Sequence, residues 1–117
     1  MTEFEKQVFE WIADKCDDPA LEAQLRSVNV ASRENTGVGC YSEFAVPDDT
    51  PLTEAGYGQR GPLTGPGFES PALKYGGGSL LWFEGGRAKT LEVFTYNDEF
   101  PADHDELGNV VLREDNV

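Results

Sequence analysis

The sequence predicts an α+β domain, with two N-terminal helices packed on an antiparallel sheet of about four to five strands and a long Gly/Pro-rich central loop. Three observations lead there. Residues 1–16 repeat apolar side chains at helical spacing behind a capping pattern. Residues 80–101 hold two apolar runs around a Glu-Gly-Gly-Arg turn. Between these ends, the 23 residues from Gly56 to Gly78 contain eight glycines and three prolines, too many for an ordinary helix or a long central strand.

The first helix is expected over residues 3–16. Thr2 followed by Glu5 is a capping-box pair, and Phe4, Val8, Trp11 and Ile12 form a stripe that Phe9 and Ala13 widen. Asp17 or Asp18 then caps a second short helix whose first turn takes Pro19, where a missing N–H costs nothing. Leu21 and Leu25 are its apolar contacts, and it ends near Arg26 or Ser27. Residues 27–33 alternate Val28 and Val30 with polar neighbours and predict a strand, turned by residues 34–37. Residues 38–46 predict its hairpin partner, with Val38, Cys40, Phe44 and Val46 on one face and Tyr41, Glu43 and Ala45 on the other.

Residues 48–78 also carry Tyr57, Leu63, Phe68, Leu73 and Tyr75, so they are expected to lie against the domain, with one short strand or turn near 72–75. Residues 80–83 and 91–96 predict the second hairpin. Gly85 and Gly86 supply the positive φ angles of a tight turn. Residues 110–112 predict a short last strand.

A chain of 117 residues makes one domain, 1–117, and buries roughly two thirds of its unfolded surface without metal or disulfide staples. Twenty-two acidic against nine basic residues give a net charge of −13. That balance argues against nucleic acid and anionic membrane surfaces, which need clustered Lys and Arg. It favours a basic protein partner at low ionic strength, although acidity also serves dispersal alone. Cys16 and Cys40 form no metal or redox motif, and each sits where a small buried apolar group fits. The first residues lack a basic segment followed by an apolar one, and no apolar run reaches the roughly 18 residues a bilayer requires. A cytoplasmic location is the expectation, as a monomer or homodimer, with no cofactor and no metal.

Chemistry-bearing groups are sparse. Asp98, Glu99, Asp103, Asp105 and Glu106 crowd together around His104, but without the alternation of an EF-hand loop and with Pro101 intervening. The plain reading is a solvated loop with an exposed histidine. No nucleophile elbow, phosphate loop or dinucleotide fingerprint is present. Glu92 interrupts the apolar run LEVFTY. In a central strand it needs a partner, for which Arg33, Arg60 and Arg87 are the candidates. The plainer reading is a half-exposed strand with Glu92 at its wet edge. Alternatively Glu92 would line the pocket of a small-molecule-binding domain or enzyme, between the first helix and the sheet, where burial raises a carboxyl toward a usable acid or base, with Trp82 and Tyr96 as walls and Arg60 or Arg87 as anion contacts. Tyr41, Trp82 and Tyr96 are also the residue types that anchor protein interfaces. The candidate binding set is therefore Glu92, Tyr96, Trp82, Tyr41, Arg60 and Arg87, with no catalytic residue assigned.

Gly37-Val38-Gly39-Cys40-Tyr41-Ser42-Glu43-Phe44, then Gly77-Gly78-Ser79-Leu80-Leu81-Trp82-Phe83, then residues 91–101 resemble blocks found in small uncharacterised bacterial proteins. Val93 and Phe100 stand here where that pattern has Gly and Trp. Some proteins of this kind look like immunity partners in toxin systems. The charge of −13, the missing catalytic constellation and the long aromatic-bearing loop lead to the expectation of a non-enzymatic protein that neutralises or masks a basic partner, with which the immunity-like resemblance agrees. The resemblance implies that Gly37, Gly39, Gly77, Glu92, Tyr96 and Pro101 define the fold first.

Overall fold

The computed structural model describes residues 1–53 and 61–114. Helix α1 runs Glu3–Lys15, and both halves of the capping box are formed between Thr2 and Glu5. Helix α2 spans Pro19–Leu25, with Asp18 accepting from the backbone of Ala20 and Leu21 and Pro19 in its first turn. Both helices lie where the sequence predicts them.

The sheet holds more strands than expected, seven among the described residues: β1 (Asn29–Asn35), β2 (Gly39–Ala45), β3 (Leu63–Thr64), β4 (Gly67–Ser70), β5 (Leu73–Glu84), β6 (Arg87–Thr95) and β7 (Val111–Arg113). Every pairing is antiparallel, in the order β1-β2-β6-β5-β4-β7, with β3 on β5 as well. Strand β5 thus takes β6 along one edge and β4 and β3 in tandem along the other. Pro66 separates those two short strands because it brings no N–H to the ladder. Ser79 Oγ donates to the Pro66 carbonyl at 2.7 Å, so the interruption is satisfied.

The Gly-rich stretch is therefore not one long loop. Residues 76–78 lie within β5, and the reason is room for aromatic rings. A Cβ on Gly77 would stand 2.6 Å from Phe68 Cζ and 2.1 Å from the Phe94 carbonyl oxygen. One on Gly78 would stand 2.7 Å from Phe94 Cζ. Tyr57 and the rest of residues 54–60 lie outside the described residues. Boundaries also move: the strands of the second hairpin, predicted over 80–83 and 91–96, run Leu73–Glu84 and Arg87–Thr95, and the last strand, predicted over 110–112, runs Val111–Arg113. The first strand starts two residues later than predicted and takes in Glu34 and Asn35, and Val38 sits in the turn, exposed, rather than on the core face.

The tight turn is as predicted, with φ of 59° at Gly85 and 81° at Gly86. One face of the sheet receives the helices. Phe4, Val8, Phe9, Ile12, Leu21 and Leu25 pack there against Cys40, Phe44, Phe68, Leu81, Leu91 and Val93. Phe4 meets Phe68, and Phe9 meets Phe44, edge-on at 5.0 Å between ring centroids. Phe100 and Leu107 close one end of this core. No described helix is long and apolar enough to cross a membrane.

Candidate functional site

Strand alternation decides which side chains the helices cover. Cys40, Ser42, Phe44, Ser79, Leu81, Leu91 and Val93 point to the helices and are buried. Their neighbours point the other way. In register across the sheet these form one row of Glu34, Tyr41, Glu92 and Leu80, and a second of Ser32, Glu43, Thr90 and Trp82. A third row places Phe94 between Gly39 and Gly78. No lysine or arginine occupies any of these positions.

Among the described residues, no element packs over this face. Tyr41, Trp82 and Tyr96 keep 38%, 39% and 39% of their surface exposed, large fractions for aromatic side chains in a sheet. Two of its carboxylates are oriented by neutral donors. Trp82 Nε1 donates to Glu92 Oε1 at 3.0 Å, and Thr90 Oγ1 donates to Glu43 Oε1 at 2.9 Å. Among the described residues, Glu34, Glu43 and Glu92 make no salt bridge. Phe94 and Tyr96 meet edge-on at 5.7 Å, and both rings reach over Gly78.

The structure brings Tyr41, Glu92, Trp82 and Tyr96 together on this face. Glu92 is turned away from α1, so it does not line a pocket between that helix and the sheet, and among the described residues Trp82 is its partner and neither Arg33 nor Arg87 pairs with it. Arg87 lies apart, at the hairpin end. Its Nη2 donates to the Asp48 carbonyl at 3.0 Å, in a groove that Asp48, Glu84 and Lys89 also line. Arg60 lies outside the described residues.

The helix side holds a buried polar cluster that sequence reasoning missed. Glu5, 1% exposed, accepts from Arg33 Nε at 2.8 Å and Nη2 at 2.6 Å, from Ser42 Oγ at 2.6 Å and from the Thr2 amide at 2.8 Å. Burial alone would raise its pKa, but the hydrogen bonds from Arg33, Ser42 and Thr2 overcome that and hold it at about 2. Thr2 Oγ1 is also 2.8 Å from His104 Nδ1. His104 is buried against the edges of Phe4 and Phe100 rather than exposed in a loop, and burial pushes its pKa down. It belongs to a 3-10 turn, His104–Leu107, capped by Asp103.

Burial pushes the Cys40 thiol up, which keeps it protonated and unreactive. Ser42 is committed to Glu5, and His104 Nδ1 to Thr2. The cluster fastens the start of α1 to β1 and β2; it presents no activated nucleophile. One sequence signal does point to it: Glu5 shares the helical stripe of Val8, Phe9 and Ile12, and a carboxylate on a core stripe requires a partner. Among the described residues, no group of three or more His, Cys, Asp or Glu is placed to hold a metal ion. Comparison with family models, curated proteins and solved structures finds no match.

Proposed function

We propose that this chain is a non-enzymatic, acidic binding protein that masks a basic protein partner in an immunity-like role, docking it on the sheet face opposite the helices. The observation that carries this reading is that face itself. It joins exposed aromatic anchors to three carboxylates that form no salt bridge among the described residues, on a chain of net charge −13. Aromatic residues near the centre of a patch supply affinity, and the surrounding charge supplies selectivity and fast encounter.

The experiment is affinity capture of basic proteins from the host's lysate at about 50 mM and about 500 mM salt, a range across which exposed charges become strongly screened. The expected result is one basic protein retained stoichiometrically at low salt and depleted at high salt. The same bait carrying Trp82→Ala and Tyr41→Ala should lose it. An empty bait from a folded chain, or retention that ignores both substitutions, would refute the reading.

A further inference from the structure

We infer that the docking face is built to seat an arginine of the partner, over the Tyr41 ring and between the carboxylates of Glu34, Glu43 and Glu92; this rests on the docking reading above. Register places Tyr41 directly between Glu34 on β1 and Glu92 on β6, with Glu43 two residues along on the same strand and face. Neighbouring strands lie about 4.8 Å apart, so the backbone positions of Glu34 and Glu92 adjoin that of Tyr41 on either side. On this face, three of the positions that adjoin Tyr41 are therefore acidic.

A guanidinium fits such a place in a way an ammonium does not. It is planar, so it stacks on an aromatic face, and it carries a fork of donors that reaches carboxylates beside the ring. Glu92 and Glu43 each have one oxygen held by Trp82 or Thr90, which orients the carboxylate without cancelling its charge. Placement by neutral donors lowers the ordering cost when a cation arrives.

A second copy of this chain is a poor occupant. Face to face, it would set these same carboxylates against one another across two molecules of charge −13 each. The occupant is an arginine-bearing surface of a basic protein.

The test uses two synthetic probes, a Gly-Ser-Arg repeat peptide and a Gly-Ser-Lys repeat peptide of equal length and charge. Binding is followed through Trp82 fluorescence in a Trp11→Phe background at about 50 mM salt. The arginine peptide should bind roughly three- to tenfold tighter, the range that added stacking supports. Tyr41→Ala should bring the two peptides level, and Tyr41→Phe, which keeps the ring, should preserve the preference. Circular dichroism on each variant confirms an intact fold. Equal binding of both peptides to the unsubstituted face would overturn the arginine seat while leaving the docking reading standing. So would a Tyr41→Ala variant that folds and keeps the preference. Failure of both peptides overturns the seat alone if a basic partner is still captured, and both readings if the bait is empty.

Discussion

Replacing Glu5 by glutamine removes one charge from a side chain that is only 1% exposed, and the cost can be worked from its surroundings. The carboxyl titrates at about 2 in the folded chain against an ordinary 4.5. At about 1.36 kcal/mol per pH unit, that difference contributes about 3 kcal/mol of stability above pH 4.5. The sign follows from proton counting. Below pH 4.5 the unfolded chain takes up a proton that the folded chain refuses, so stability falls, by about half of this contribution at pH 3 and nearly all of it near pH 2. Glutamine also turns an N–H₂ toward a set of donors, which costs a further hydrogen bond. Against that, Arg33 keeps 34% of its side chain in water and recovers some hydration when its partner is lost. The expected net loss at pH 7 is therefore about 2–4 kcal/mol, a fall in Tm of roughly 10 °C for a domain of this size. Urea unfolding at pH 7 and pH 3 measures both quantities. A Glu5→Gln chain within about 0.5 kcal/mol of the parent at pH 7, or one that keeps the parent's full decline toward pH 3, would refute the account.

Three further outcomes follow from the geometry. Because burial depresses His104, stability should decline as pH falls below the ordinary histidine value of 6.5 toward the lower folded value. His104→Gln should flatten that limb, which thermal melts between pH 7.5 and pH 5 would show; an unchanged limb sinks the assignment. Gln24, fully buried, donates to the carbonyls of Pro51 and Gly86 and accepts from the Ala88 amide, so Gln24→Leu should cost about 2–4 kcal/mol by urea titration. Gly77→Ala should cost at least about 2 kcal/mol, since the new methyl meets the Phe68 ring and the Phe94 carbonyl; a neutral variant would show that the strands yield there.

What the sequence made legible was local chemistry. The Thr2–Glu5 box, the Asp18–Pro19 helix start and the Gly85-Gly86 turn each lie within a few residues, and each forms as expected. The alternation of Tyr41, Glu43 and Ala45 against Cys40 and Phe44 was equally visible. Harder to see was anything decided by a distant partner. Gly76–Gly78 resemble loop until Phe68 and Phe94, from two other strands, are known to occupy the space a side chain would take. Glu92 offers no sign of its direction until α1 is placed on one face of the sheet and not the other. His104 looked exposed because its neighbours are acids, whereas its burial comes from Phe4 and Phe100. Glu5 was half legible: its stripe declared it buried, and its donors, Arg33 and Ser42, arrive from other elements.

The sheet's central ladder has a consequence for synthesis. Strand β2 finds its inner neighbour only in β6, through contacts such as Thr90 to Glu43 at a separation of 47 residues, and Thr2 meets His104 across 102. A ribosome that has released residues 1–53 has made both helices and the first hairpin, but none of the strands that complete the floor beneath α1. Until residue 95 emerges, the apolar stripe of α1 and the inner edge of β2 both wait without partners, the state in which nascent chains aggregate or recruit chaperones. Stalled products ending before β6 should therefore be the form of this protein that the cell's folding machinery holds longest.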